Sequence, residues 1–317
     1  MLIEKIILKK SKVVLLVVSL VVLVGLLHAY SSSLFTGECI DAPHNQSIRM
    51  KKIPFVKMHG LGNDFVIIAE EKLPSAINMK DFAKAISDRR LGVGCDQLII
   101  YKENQDFVKM RIFNQDGSTA RACGNASRCL SRLIFEKNGK RNITLDVNGR
   151  KVLCEYISAS QIKVDLGIAS FEESWMPQKE SLWDLAIRHL IEPKEMICVD
   201  VANPHLVIFS KLSDQDRKVI GEKFQSIDLF KEGININFAE VKDDKIYLKV
   251  WERGTGFTCA CGSGAIATFA AANNLGFVSD KAEVVFELGS LEMEKTGANI
   301  SMCGPVSFVF NGEYSYE

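Results

Sequence analysis

What this sequence lacks narrows its function early. Its 39 Lys and Arg are matched by 39 Asp and Glu, so no net charge directs it to nucleic acid or to an anionic membrane surface. Histidines number five and are scattered. No Cys-x2-Cys spacing occurs, and Cys259-x-Cys261 is too little by itself for a structural zinc site. Gly60-x-Gly62 and Gly92-x-Gly94 suggest nucleotide loops, yet neither completes a dinucleotide fingerprint or a P-loop. No serine stands in a nucleophile elbow. Neither a metal nor a cofactor is expected.

What is present is ordinary in bulk and unusual in detail. A chain of 317 residues, 47% hydrophobic and 25% charged, is long enough for two domains with sizeable cores. Nine cysteines, an odd number without small-scaffold spacing, argue for reduced thiols in a cytoplasmic protein. The N-terminus pulls the other way. Lys9, Lys10 and Lys12 precede an apolar run from Val13 to Leu27, as in a signal peptide or short anchor. Residues 1–49 are read as an extension outside the working protein, which begins at Met50. Membrane contact is expected only if that extension is retained, with the catalytic part on the inner side.

Two stretches organise the rest. From Phe113 to Phe135, turn formers at Asn114–Ser118 lead through Cys123-Gly-Asn125 into apolar residues at helical spacing (Ala126, Cys129, Leu130, Leu133, Ile134), with Asn138-Gly139 as the stop. Trp251 to Gly264 repeats the device through Cys261, entering an apolar helix over Ala265–Leu275 that stops at Gly276. Ala-Cys-Gly-Asn at 122–125 is echoed by Ala-Cys-Gly-Ser at 260–263, 138 positions later. A cysteine at a helix start meets free N–H groups and a partial positive charge, which favour thiolate and can hold an anion. A duplicated unit with one working thiol per half follows.

The remaining pattern is short strands and turns. Strands are predicted at 55–58, 65–69, 98–101, 108–113, 143–147, 151–157 and 162–166, with Asn148-Gly149 as a hairpin turn and a helix over 81–89. The second half reads likewise: strands at 196–201, 206–210, 234–238, 245–251, near 282–287 and at 307–310, and a helix over 214–224. This is an α+β pattern of two pseudo-symmetric domains, each a mostly antiparallel sheet wrapped around a central helix. The halves are placed at 50–168 and 169–306, joined around Gly167–Pro177, with 307–317 a C-terminal strand free to return to the first half. The turn Ala202-Asn-Pro-His205 sets Asn203 and His205 toward a pocket.

A single thiolate with one helper suits acyl transfer. Two equivalent thiols facing one substrate suit inversion at carbon: a thiolate removes a proton and a thiol returns one on the opposite face. Seven segments then converge: Met58-His-Gly-Leu-Gly-Asn-Asp-Phe65, Gly92-Val-Gly-Cys-Asp-Gln97, Phe113-Asn-Gln-Asp-Gly117, Ala122-Cys-Gly-Asn125, Asn203-Pro-His205, Glu252-Arg-Gly254 and Ala260-Cys-Gly-Ser-Gly264. Through them the chain from about Ile53 to Phe310 resembles the diaminopimelate epimerases. The resemblance implies cofactor-independent conversion of LL-2,6-diaminopimelate to meso-diaminopimelate, in lysine and peptidoglycan precursor biosynthesis, by a homodimeric cytoplasmic enzyme. It implies Cys123 and Cys261 as the acid/base pair with His205 and Glu252 as supporting groups. It implies substrate contacts from Asn63, Gln97, Asn114, Asn203, Asn235, Glu252 and Arg253, and a carboxylate grip from the backbone of Gly124, Asn125, Gly262 and Ser263. Two positions depart from the family's habit: Ala126-Ser127 where it often has Gly-Ala, and Phe257 where it often has Glu. The rival readings are another stereoinverting enzyme on the same scaffold and a non-catalytic thiol-redox protein.

Overall fold

The computed structural model describes residues 51–120, 122–231 and 233–316. The chain divides into Met1–Arg49 and Met50–Glu317, and the described residues all belong to the second unit. The expectations for residues 1–49 lie outside them.

Two topologically equivalent halves make up that unit. The first runs β1 (Lys51–Gly60), β2 (Asn63–Ala69), α1 (Met79–Ser87), β3 (Gln97–Glu103), β4 (Val108–Asn114), β5 (Thr119–Ala120), α2 (Gly124–Asn138), β6 (Asn142–Val147), β7 (Arg150–Ser158) and β8 (Gln161–Gly167). The second runs β9 (Met196–Asp200), β10 (Pro204–Ile208), α4 (Asp214–Phe224), β11 (Asn235–Lys242), β12 (Lys245–Glu252), β13 (Gly256–Thr258), α5 (Gly262–Asn274), β14 (Lys281–Phe286), β15 (Gly289–Thr296) and β16 (Asn299–Pro305). One helix, α3 (Lys179–Arg188), precedes the second half, and β17 (Ser307–Tyr316) follows it.

The register repeats along with the order. Phe65 faces Gln97 across the parallel pair β2–β3, as His205 faces Asn235 across β10–β11. Leu98 faces Phe113 as Ile236 faces Trp251. Ile112 faces Ala120 as Val250 faces Thr258. Each half is therefore a mainly antiparallel sheet with parallel pairings only where a helix crosses over. The sheets join where the equivalent strands β8 and β16 pair antiparallel, and β17 then returns to the first half along β1 from Lys51 to His59.

Each sheet is covered on both faces. The inner face of the first wraps α2, whose Ala126, Cys129, Leu130 and Ile134 pack with Met58, Phe65, Met110 and Val164. The second wraps α5 in the same way, around Ala265, Ala267, Phe269 and Ala271. Outer faces carry α1 in the first half, and α3 and α4 in the second. These outer layers go beyond the one-helix-per-sheet expectation. α3 itself has no counterpart among the predicted helices, although Leu182, Leu185 and Ala186 have helical spacing and pack into that layer. Strands β15 and β16 also fall where no strand was predicted. They form a hairpin through Gly297, at φ +62°. Leu61, at φ +54°, crosses from the first half and is buried in the core of the second.

Candidate active site

The two central helices meet end to end. Cys123 is the N-cap of α2 and its Sγ accepts from the Ala126 N–H; Cys261 is the N-cap of α5 and accepts from the Gly264 N–H, both at 3.4 Å. Glycine follows each thiol because the ends are tightly packed. A Cβ at Gly124 would lie 2.7 Å from Met302 Cε, and one at Gly262 would lie 3.4 Å from Asn125 Oδ1. The backbone N–H groups of Gly124, Asn125, Gly262 and Ser263 thus open the first turns of two facing helices, where an anion is favoured.

The first half surrounds Cys123 with amides. Asn63, at the start of β2, sets its Oδ1 3.8 Å from Cys123 Sγ and accepts from Asn125 Nδ2 at 3.1 Å. Its Nδ2 donates to Asp96 at 2.9 Å. Asp96 and Asp64 share Arg89, and Asp64 also pairs with the buried Lys57 at 2.6 Å. Gln97, at the head of β3, donates to Asn114 Oδ1 at 2.9 Å, and Asn114 donates to Ser118. Gln97 Oε1 and Asn125 Oδ1 remain buried without a hydrogen-bond partner among the described residues. Two idle acceptors suit an ammonium group.

The second half surrounds Cys261 with a relay. Cys261 Sγ lies 3.4 Å from Ser263 Oγ, which lies 3.0 Å from His205 Nε2. His205 Nδ1 is 3.2 Å from Asn237 Oδ1. The nitrogen of Asn237 donates to Gly264 O and Thr268, so its oxygen must accept, and the His205 proton sits on Nδ1. That leaves Nε2 to accept from Ser263, whose oxygen can take the Cys261 proton. His205 therefore reaches a thiol only through Ser263. Glu252 closes the site at the end of β12, held by Thr258 at 2.5 Å, and its carboxylate charge acts on Cys261.

Burial overrides the helix ends in setting the thiols. Cys123 is pushed up to about 11 by burial and by the Glu252 carboxylate, against the Ala126 N–H and Arg128. Cys261 is likewise pushed well up by burial and Glu252, against Ser263 and the Gly264 N–H. The preference for thiolate expected from helix position alone is thus reversed, and both thiols are protonated at neutral pH. Burial also raises Glu252 and lowers His205 to about 4, so the imidazole is neutral.

The remaining predicted residues frame this centre. Asn203 lies in the turn between β9 and β10, beside Ala202 at φ +66°. Asn235 donates to Pro204 O at 3.0 Å and accepts from the Arg253 N–H at 2.9 Å, fixing both flanking loops. The Arg253 side chain is exposed and runs over Gly233. Phe257 stacks edge-on against Trp251 at 4.9 Å. By the repeat, Asn63 answers Asn203, Gln97 answers Asn235, Asn114 answers Glu252 and Asn125 answers Ser263. Asp96, Asp64, Lys57, Arg89 and the Ser263 hydroxyl escaped the sequence reading. The Gly92–Gln97 segment holds Asp96 in plain view, but only the fold shows that it meets Asn63.

The pattern that defines the diaminopimelate epimerase family matches residues 55–172 and 197–309. The chain belongs to the diaminopimelate epimerase family. It is accordingly an isomerase, and the family's reaction is a cofactor-independent epimerisation in lysine biosynthesis. The diaminopimelate epimerases of Rickettsia prowazekii (strain Madrid E) and Rickettsia felis are 54% and 53% identical to it over 268 residues, covering 84% of this chain and 99% of each relative. Among solved structures, a phenazine biosynthesis protein of Bacillus anthracis superposes with TM-score 0.62 at 16% identity, over 83% of this chain and 99% of that one. A hydroxyproline epimerase of Agrobacterium vitis does so with TM-score 0.60 at 10% identity, over 83% and 91%. These distant likenesses speak for the two-domain, sheet-dominated α+β fold.

Proposed function

We propose that Cys123 and Cys261 are the two proton-transfer groups in the epimerisation of LL-2,6-diaminopimelate to meso-diaminopimelate. The observation that carries this reading is the placement of two thiols, related by the repeat, at the abutting N-termini of α2 and α5. One sulfur, as thiolate, takes the α-hydrogen as a proton while the C–H electron pair passes into the carbon and its carboxylate. The other gives its S–H proton to the opposite face of the carbon. The sulfurs exchange states, and the centre is inverted.

The helix N–H groups hold the carboxylate and stabilise the charge that develops on it. Gln97 Oε1 and Asn125 Oδ1 supply acceptors for ammonium groups, and Arg253 suits the distal carboxylate. Both thiols rest protonated, so binding must free one proton. The arriving ammonium lowers the cost of a thiolate, and Ser263 with His205 offers the Cys261 proton an outlet. Glu252 faces both sulfurs and keeps them responsive to that charge.

The test is exchange of the substrate α-hydrogen with deuterated water in reduced protein, in wild type, Cys123→Ala and Cys261→Ala. Each alanine variant loses epimerisation, since one general acid or base accounts for about 10²–10⁴-fold. Turnover near wild type in either would sink the two-thiol mechanism.

A homodimer and a cytoplasmic location complete the proposal. The dimer is supported by β17, which pairs only with β1 among the described residues and exposes Phe308, Val309 and Phe310 along a free strand edge. Sedimentation tests it. The location is supported by eight free cysteines among the described residues. No helix among those residues is long and apolar enough to cross a membrane. Fractionation of the native cells tests the location.

A further inference from the structure

Arg128 is the polar group that the mechanism leaves unexplained. It is fully buried on α2, five residues after Cys123. Its Nη1 lies 3.4 Å from Met302 Sδ, while Nε and Nη2 have no hydrogen-bond partner among the described residues. No carboxylate there pairs with it. An uncompensated buried cation is costly, so its retention calls for an anion that forms only at some stage of the working cycle.

Its surroundings locate that anion. A Cβ at Gly60 would stand 3.0 Å from Arg128 Nη2 and 3.5 Å from Asn125 Cβ. The guanidinium therefore lies back along the first turn of α2, the way helical side chains lean. A Cβ at Gly304 would stand 3.6 Å from Cζ and Nε, so two glycines make room for the group. Met302, which touches the guanidinium through sulfur, also abuts Gly124 and Gly262 through its methyl. The charge thus sits under the floor of the site.

The repeat supplies an internal control. The position that answers Arg128 in α5 is Ile266, also buried. The scaffold accepts an apolar side chain there, so packing alone does not demand arginine. The halves differ in complementary ways: Cys261 has Glu252 and the Ser263–His205 relay, and Cys123 has the buried cation.

We propose that Arg128 is a positioning residue for the first thiol, a fixed buried charge that favours the thiolate of Cys123 over that of Cys261 and makes the two bases of the repeat inequivalent. The proposal rests on the acid/base reading of the thiols. Other groups face the same field. Cys129 on α2, Cys154 on β7 and Cys303 on β16 lie around the guanidinium, and burial holds each of them protonated. Glu252 on β12 opposes charge on Cys123 from across the site, and Cys261 at the head of α5 is the competing thiol. Cys123 alone of the four thiols around Arg128 caps a helix.

The experiment is alkylation of full-length reduced protein by iodoacetamide across a pH series, each cysteine read by peptide mass spectrometry. The thiolate displaces iodide and forms a thioether, so the midpoint reports thiolate formation without substrate. Failure here is thereby distinguishable from failure of the two-thiol mechanism, which substrate exchange reports. In Arg128→Ile and Arg128→Gln the Cys123 midpoint moves up by about one unit or more, and that of Cys261 stays. Arg128→Lys keeps the wild-type order. A folded neutral variant with an unmoved Cys123 midpoint, or an equal shift at both cysteines, overturns the proposal. Unfolding of both neutral variants while Arg128→Lys folds also overturns it, because the charge is then a folding requirement.

Discussion

Asn63 turns its amide oxygen, not its nitrogen, toward Cys123. The orientation is forced by chemistry: Asp96 Oδ2, 2.9 Å away, can only accept, so Nδ2 must face it and Oδ1 is left for the thiol and for Asn125. Asp96 is itself held by Arg89 and by the Asp64 N–H. A charged cluster at the rim thus fixes which dipole the reacting sulfur meets.

Substituting Asp96 by Leu frees that amide to flip. The flipped nitrogen donates to sulfur, so the Cys123 alkylation midpoint falls. Misorientation of the amide lowers kcat/KM by up to about 10²-fold. Steady-state kinetics and alkylation on one preparation check both, and an unchanged Cys123 midpoint refutes the orientation argument.

His205 predicts a pH signature in stability. Burial lowers its folded value from 6.5 to about 4, so the unfolded chain binds the proton more readily. The neutral imidazole's contribution is complete above about 6.5 and is lost as pH falls toward 4, a change of about 3 kcal/mol. Urea midpoints at pH 7 and pH 4.5 drop accordingly in wild type. In His205→Gln that part of the drop disappears.

Ser263→Ala interrupts the hydrogen-bonded path from Cys261 to His205 while sparing both ends. Proton exchange at the Cys261 face slows by about tenfold or more, within the range for a lost proton-transfer step. The Cys123 face is affected less. Deuterium incorporation measured separately from the LL and meso substrates shows the asymmetry, and equal losses from both speak against the relay.

Leu61 predicts coupling between the halves. It leaves the first half's β1–β2 turn and is 5% exposed within the second half's core. Leu61→Ala destabilises by about 2–5 kcal/mol. A shift far smaller in urea unfolding means that the turn does not hold the halves together.

Much was legible before any fold was known. The Ala-Cys-Gly echo at 122 and 260 marks the duplication, because a helix entry that must expose N–H groups beside a thiol requires small residues in a fixed order. Turn formers such as Gly139, at φ +70°, and Asn148-Gly149, at φ +54° and +86°, announce their own backbone. Alternation and helical spacing are local signals, so most strands and the two central helices could be read along the chain.

Tertiary structure decided what depends on who is brought close. No local rule says that Asp96 meets Asn63, that Ser263 stands between Cys261 and His205, or that Arg128 meets no carboxylate among the described residues. The protonation of the thiols reversed for the same reason. A helix N-terminus is a local feature that favours thiolate, but desolvation is a property of everything packed around the sulfur, and for Cys123 and Cys261 it is the larger effect. Sequence determined which groups could react, and packing set the charge on which they begin.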